Sequence, residues 1–232
     1  RWLLNGVKRF ITNGDGHISL VLARTEEGTS DARGLSMLVH DKRDGGVKVR
    51  RIENKLGIKG SPTCELVFTN APARLVGDRK MGLIKYVMSL MNAARLGIGA
   101  QSTGLSEAAY REALKYAQER MQFGKRISQF QNTQFKLAEY QTKVEAARLM
   151  VYNCASMMDN GQRVSHLSSM AKYYASDVLN EVVRGCLQLH GGYGYSKEFV
   201  IEKLYRDAKL TEIFEGTSEI QKKIIAKWMG VK

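Results

Sequence analysis

Glu215 is the carboxylate whose neighbours could best support chemistry. It lies between Phe214 and Gly216, and a helix is predicted to begin shortly after it. A glycine lets a substrate approach the backbone closely, and an aromatic neighbour limits water, which together suit a general base. Alternatively, the carboxylate only complements the positive N-terminal end of the helix dipole. Taken by themselves, these residues favour the dipole interpretation.

The helix that follows Glu215 is predicted from a capping box. Ser218 and Gln221 are three residues apart, the spacing at which an N-cap hydroxyl and a polar side chain satisfy the first turn. We expect this helix to run from Ser218 to about Met229, with its free N–H groups directed at the residues before it.

A glycine-rich segment, Gly191 to Gly194, follows a predicted helix. A Rossmann phosphate loop follows a strand, so that interpretation is disfavoured and a flexible turn between helices is favoured. The sequence contains no nucleophile elbow, no P-loop and no zinc-protease HExxH motif. None of its four histidines completes the E-x-x-H pair of a di-iron bundle.

The elements that position these residues change in character along the chain. Both prolines, Pro62 and Pro72, lie in the first third, and the proline-free remainder is typical of helices, in which an interior proline costs about 3 kcal/mol. Before Pro72, β-branched and aliphatic runs alternate with turn residues, which predicts a β meander. Its predicted strands are Val7 to Thr12, Ile18 to Arg24, Leu35 to His40 and Cys64 to Phe68.

Beyond residue 80, apolar residues recur every three or four positions, which predicts a helical bundle. One predicted seam is Leu137, Tyr140, Val144, Ala147, Val151, Cys154 and Met158. A second is Met170, Tyr174, Val178, Val182, Cys186 and Leu189, ended by Gly191. Other helices are predicted at about 81–120 and 197–209. The predicted fold is α+β: a partial β-barrel or sandwich at residues 1–80, then an all-α, up-down domain resembling a four-helix bundle at residues 81–232.

Composition narrows the class of protein. The 232 residues are 44% hydrophobic, and no apolar run approaches the roughly 20 residues of a membrane span. The net charge of +13 favours an anionic partner: nucleic acid, an anionic surface or a nucleotide-bearing small molecule. No basic arm with interleaved aromatics appears, so nucleic acid is disfavoured. Three distant cysteines without a CxxC pair predict neither a disulfide framework nor a zinc site, and a reducing compartment is expected.

Several segments, in order and over essentially the whole chain, resemble the acyl-CoA dehydrogenase family. The tail from Phe214 to Gln221 resembles the family's (Y/F)EGTSxIQ block. The other matching segments are 8–14 (a K-x-W-I-T-N-G strand, with Phe10 for Trp), 119–124 (ER-x-x-FG), 127–131, 188–194 (a glutamine followed by GG-x-G) and 206–209 (RDAK).

The resemblance implies a flavoprotein that removes hydrogens from the α and β carbons of an acyl-CoA thioester, giving the trans-2-enoyl-CoA of fatty acid metabolism, with electrons passed to an electron-transfer flavoprotein. It implies that Glu215 takes the α proton, because Ala94 occupies the base position that some members use. It also implies substrate contacts at Asn92, Arg95 and Gly216, although Asn92 replaces the usual Asp.

The cofactor implied by the resemblance is FAD, with no metal. Gln188, Gly191 and Gly192 match positions that meet the FAD of a partner subunit, which implies a homodimer or homotetramer. The implied cofactor contacts are Phe10, Ile11, Thr12, Arg120, Gln122, Phe123, Gln131, Gln188, Gly191, Gly192, Thr217, Ser218 and Glu219.

Family members carry a helical domain and further β strands ahead of the matching region. We therefore expect an internal segment of a longer protein, lacking one wall of the flavin and acyl pockets and of doubtful activity alone. Its expected compartment is the bacterial cytoplasm or the mitochondrial matrix. Two alternatives stay open: an acyl-CoA oxidase-like enzyme of the same fold, and a non-catalytic helical binding scaffold. Acyl chain length is also left open.

Overall fold

The computed structural model describes residues 2–231 and divides into two compact units after Met91. The first unit contains a curled five-stranded sheet and the second is helical, which confirms the predicted α+β class. The domain boundary predicted at residue 80 stays a prediction.

The sheet of the first unit is antiparallel, with strand order β1-β5-β3-β2 and with β4 also paired to β5. Its strands are β1 (Trp2–Thr12), β2 (Ile18–Arg24), β3 (Leu35–Asp41), β4 (Val47–Ile52) and β5 (Thr63–Leu75). The predicted meander is therefore wrong, because the last strand lies between β1 and β3, and within residues 2–231 only two of the four consecutive strand pairs of this sheet, β2–β3 and β4–β5, are hydrogen-bonded. The sequence also missed β4, where lysine and arginine alternate with valine.

Apolar side chains from β1, β3 and β5 form the core of the first unit. Leu66 and Phe68 of β5 pack with Leu38 of β3 and Leu4 of β1. The 13-residue β5 has three partners, because it pairs with β1 along most of its length, with β4 over Cys64–Phe68 and with β3 at Arg74 and Leu75.

The second unit is built from three long helices and two shorter ones. These are α1 (Met88–Glu119), α2 (Gln131–Asp159), α3 (Ser165–His190), α4 (Ile201–Ala208) and α5 (Ser218–Trp228). A small hairpin of β6 (Met121–Gln122) and β7 (Lys125–Arg126) joins α1 to α2. The helix predicted at about 81–120 is confirmed, and its first turn, Gly82–Val87, is π-helical and leads into α1.

The seam predicted on α2 is confirmed: six of its seven residues are buried and Met158 is half-buried. On α3 the predicted stripe is only one part of the buried surface. Val178, Val182 and Cys186 are buried as expected, but Ala171, Ala175 and Leu179 are buried too. Helix α3 therefore lies at the centre of the unit, packed against α2, α4 and α5.

All three cysteines are free and buried, and burial raises the pKa of the Cys186 thiol to about 12. Each helix within residues 2–231 is too short or too polar to span a bilayer.

Candidate functional site

The segment between α4 and α5 forms a strained turn at Glu215 and Gly216. Glu215 has φ +53° and Gly216 has φ +92°, so two successive residues occupy the left-handed region. A non-glycine residue there costs energy and persists only where its surroundings hold it. A Cβ on Gly216 would lie 2.6 Å from Nε2 of Gln221, so this position requires glycine.

Two fully buried side chains hold this turn. Gln221, in the first turn of α5, donates from Nε2 to the carbonyl oxygens of Glu215 at 3.2 Å and of Gly216 at 2.9 Å. Lys172, on α3, donates from Nζ to the Gly216 oxygen at 2.8 Å. Two helices thus fix the backbone that carries the Glu215 carboxylate, whose side chain is half-buried.

Two buried cations face this carboxylate. Burial lowers the pKa of Lys172 to about 8, with the negative charges of Glu212 and Glu215 opposing the decrease. Burial also lowers the pKa of Arg95, and Glu215 again opposes it. Nη1 of Arg95 donates to Oδ1 of Asn92 at 3.2 Å, so the sequence-predicted substrate pair is in contact. The Arg95 Nε has no partner within residues 2–231.

The capping box predicted at Ser218 is wrong. Thr217 is the N-cap of α5, and its side chain accepts from the N–H of Ile220. Ser218 is the first helical residue, and its hydroxyl is buried without a partner in the described part of the chain. Gln221 turns back to the carbonyls before the helix, so its role differs from the predicted one. Hydrogen bonds from its own backbone and from Thr217 lower the pKa of Glu219.

A second feature is an open cleft of about 620 Å³ at the ends of α1 and α3. It brings together five sequence-predicted cofactor residues: Arg120, Gln122, Gln188, Gly191 and Gly192. Their sequence separations are up to 72 positions, so only the packing of α1, α3 and the β6–β7 hairpin makes them neighbours.

The floor of this cleft is bare backbone and its wall is aromatic. No atom lies within 4 Å of a Cβ built on Gly191 or Gly192, so a ligand can approach the main chain there. The Arg120 guanidinium lies 5.2 Å from the Tyr193 ring centroid. Tyr116 and His190 stack at 4.3 Å beside it. The cleft therefore combines a guanidinium, amide groups and exposed backbone.

The remaining predicted cofactor residues lie outside these two groups. Phe123 lies in the turn of the β6–β7 hairpin, at φ +50° and 91% exposed, and the exposed Gln131 begins α2; neither lines the cleft. Phe10, Ile11 and Thr12 lie at the end of β1 in the first unit, with Phe10 exposed at φ +56°. The roles of all these residues stay predictions.

The sequence reasoning missed Lys172, Tyr116 and Tyr193. A signal for Lys172 exists: from residue 164 to 176 it is the only Asp, Glu, Lys or Arg, and it stands on the buried face of an apolar helix. A lone charge there has to find a polar partner inside the protein. Within residues 2–231, no three His, Cys, Asp or Glu side chains are grouped to hold a metal ion.

Comparison with known proteins agrees with the predicted family. The family model of the acyl-CoA dehydrogenase middle domain matches residues 1–71, and that of the C-terminal domain matches residues 84–230. The acyl-CoA dehydrogenase of Bacillus subtilis is 42% identical over 235 residues, which covers 99% of this chain and 61% of that protein.

Two further relatives show the range of the group. The caffeyl-CoA reductase-Etf complex subunit CarC of Acetobacterium woodii is 39% identical over 229 residues, covering 97% of this chain and 60% of that protein. The solved structure of butyryl-CoA dehydrogenase from Megasphaera elsdenii superposes with a TM-score of 0.94 at 36% identity, covering 98% of this chain and 60% of that one. The chain thus spans about 60% of the length of these relatives.

Proposed function

Because the chain belongs to the acyl-CoA dehydrogenase family, we propose that its full-length protein removes the α and β hydrogens of an acyl-CoA thioester to give the trans-2-enoyl-CoA. The observation that carries this proposal is the Glu215 carboxylate, presented on a strained, doubly anchored turn beside buried Arg95 and Lys172. Strained backbone of this kind clusters at functional sites.

In the proposed reaction, a Glu215 carboxylate oxygen accepts the α proton. That proton is acidic enough to leave only if the thioester carbonyl accepts hydrogen bonds while negative charge develops on it. The N–H of Glu215 donates to no acceptor among residues 2–231, so it is free to supply such a bond. The buried guanidinium of Arg95 and ammonium of Lys172 attract the carboxylate.

The cleft fits a cofactor that carries a diphosphate. We assign Arg120 to the binding of that diphosphate, because a guanidinium binds phosphate oxygens bidentately. The exposed backbone at Gly191 and Gly192 would let the diphosphate approach closely. Ser218, whose buried hydroxyl has no partner in the described residues, and Thr217 lie at the N-terminus of α5, where N–H groups favour an anionic group. FAD, when bound, would supply the acceptor for the hydrogen that leaves the β carbon.

We further propose that this FAD is shared between subunits of a homodimer or homotetramer, with Gln188, Gly191 and Gly192 reaching the partner subunit's FAD. An electron-transfer flavoprotein is the proposed electron acceptor, since the relative from Acetobacterium woodii is named as a subunit of an Etf complex. The proposed compartment is the bacterial cytoplasm or the mitochondrial matrix.

A second candidate function is the reverse reaction, reduction of a 2-enoyl-CoA. It is favoured by the caffeyl-CoA reductase relative, which is nearly as similar to the chain as the Bacillus subtilis dehydrogenase. The same site serves both directions, because a protonated Glu215 returns a proton to the α carbon when the β carbon receives its hydrogen. Turnover of butyryl-CoA and of crotonyl-CoA by the full-length protein distinguishes the favoured direction.

The test of the proposed function is Glu215→Gln in the full-length, FAD-loaded protein. The variant should keep its FAD and lose about 10³-fold in the rate of anaerobic flavin bleaching by butyryl-CoA, since positioned general bases contribute about 10²–10⁴-fold. Glu112→Gln, at an exposed position of α1, is the matched control and should bleach at the parent rate. Undiminished bleaching by Glu215→Gln would refute Glu215 as the base.

A further inference from the structure

Helix α3 donates hydrogen bonds to the chain from the last residue of α4 to the Glu215 turn, and its donor side chains are spaced four residues apart. Lys172 Nζ lies 2.8 Å from the Gly216 oxygen, Ser176 Oγ lies 3.0 Å from the Thr211 oxygen, and Asn180 Nδ2 lies 3.3 Å from the Ala208 oxygen. Side chains at i, i+4 and i+8 share one face of a helix, so one face of α3 holds this whole segment.

Lys172 is the member of this series at the Glu215 turn, and it is the only charged one. Its side chain is fully buried, and it forms no ion pair with a carboxylate within the described residues. Removing an ammonium from water without an ion-pair partner costs several kcal/mol of desolvation free energy. A lysine is therefore an unfavourable residue for a contact whose only role is to hold a loop in place. The neutral Asn180 fastens the same segment without that penalty.

Lys172 also donates to one of the two carbonyl groups that Gln221 bonds. The turn has two carbonyl groups: Gln221 donates to both, and Lys172 donates to that of Gly216. Each peptide plane that flanks Gly216 is therefore bonded by α5, and the second plane is also bonded by α3. Because Glu215 occupies the left-handed region against its intrinsic preference, loss of an anchor frees it to relax.

We propose that Lys172 is a positioning residue: together with Gln221 it fixes the Glu215–Gly216 turn in its left-handed conformation and so directs the Glu215 carboxylate at the α carbon of the substrate. This proposal rests on the proposed function of Glu215 as the base. The charged groups around the Lys172 ammonium are Glu212, Glu215 and Glu219, which attract it, and Arg95, which repels it.

The test compares Lys172→Met with Asn180→Ala in the full-length, FAD-loaded protein. Methionine has nearly the length of lysine and fills the same space without a donor. Asn180→Ala removes the hydrogen bond from α3 to Ala208, which lies away from the Glu215 turn. It therefore controls for the loss of any one hydrogen bond between α3 and this part of the chain. We expect Lys172→Met to lower kcat for butyryl-CoA dehydrogenation about 10- to 100-fold with KM within about threefold, because a displacement of about 1 Å costs on that order. Asn180→Ala should keep kcat within about twofold.

A second readout does not depend on activity. Hydrogen–deuterium exchange of the peptide that covers residues 212–221 should accelerate in Lys172→Met and stay at the parent rate in Asn180→Ala. Parent kcat together with parent exchange in Lys172→Met would overturn the proposal. Equal losses of kcat in the two variants would also overturn it, since that result assigns Lys172 a structural role alone.

Gln221→Leu provides a second variant in case Lys172→Met fails to fold. It removes the other anchor and should give the same pattern of reduced kcat with preserved KM, and parent kcat here would contradict the proposal. Glu215→Gln is measured in parallel to separate the two claims. If Glu215→Gln keeps its rate, the proposed function fails. If it loses its rate while Lys172→Met and Gln221→Leu keep theirs, only the role of Lys172 fails.

Discussion

Replacement of Lys172 by methionine should change how the stability of the protein depends on pH. An unfolded lysine titrates near 10.5, whereas burial lowers the pKa of Lys172 in the folded protein to about 8. Between these two values the unfolded chain binds more protons than the folded one, so the free energy of unfolding rises with pH in that window. Below about pH 8 both states are protonated and the folded protein bears the full desolvation penalty.

The size of the effect follows from the two pKa values. A difference of about 2.5 pKa units at about 1.36 kcal/mol per unit amounts to about 3 kcal/mol over the whole window. Most of the window lies at strongly alkaline pH, so about 1.3 kcal/mol of it is gained between pH 7 and pH 9. Methionine does not titrate, so Lys172→Met lacks this gain entirely.

The assay is urea denaturation of the parent and of Lys172→Met at a series of pH values from 7 to 9, followed by far-UV circular dichroism with equal flavin content. Titration of the other groups is common to both proteins and cancels in the difference. The difference in unfolding free energy should shift in favour of the parent by about 1.3 kcal/mol from pH 7 to pH 9. A difference that is constant over this range, or that shifts towards the variant, would refute a lowered pKa for Lys172.

Two further predictions concern the core and the cleft. Leu179→Ala should lower the free energy of unfolding by about 2–5 kcal/mol in urea denaturation, because it leaves a cavity at a fully buried site on α3. The control, Leu149→Ala at an exposed position, should change the free energy of unfolding by less than about 0.5 kcal/mol. Equal effects of the two substitutions would contradict the central position of α3. Arg120→Ala should weaken FAD binding to the apoprotein about 10- to 100-fold, because a charge-assisted contact is lost. Fluorescence titration measures this affinity. If Arg120→Ala binds FAD as tightly as the parent, Arg120 does not belong to the proposed FAD site. The exposed Arg184→Ala is its control and should bind FAD as the parent does.

Much of the secondary structure could be predicted because its signals are local. The 3-4 spacing on α2 marks which residues are buried, and the C-terminal end of α3 follows from Gly191, which has φ +58°. Strands β2 and β3 were predicted almost to the residue, since their aliphatic runs end at turn residues. The family motif around Glu215 could be read in the same way, because it is a continuous stretch of chain.

The sequence-based predictions were wrong where two local structures were both possible and contacts between distant residues selected one of them. Ser218 and Thr217 are both good N-cap residues, and the sequence favoured the wrong one because the partner of Gln221 lies in the preceding turn rather than at the cap. The meander was wrong for a similar reason: β5 could pair with any strand, and its position between β1 and β3 follows from how the apolar faces of Leu66 and Phe68 are buried.

The sequence by itself determined the fold class, the family and the segments that carry the candidate residues, because these depend on periodicity and on short continuous motifs. Only the tertiary structure decided which of those segments meet. It brings Arg120 to Gln188 in one cleft, and it carries Lys172 of α3 to the carbonyl of Gly216, 44 residues later in the chain. Such contacts join residues with no sequence spacing in common. They form because the packing of α3 against α4 and α5 buries the Lys172 ammonium, which then donates to the carbonyl of Gly216.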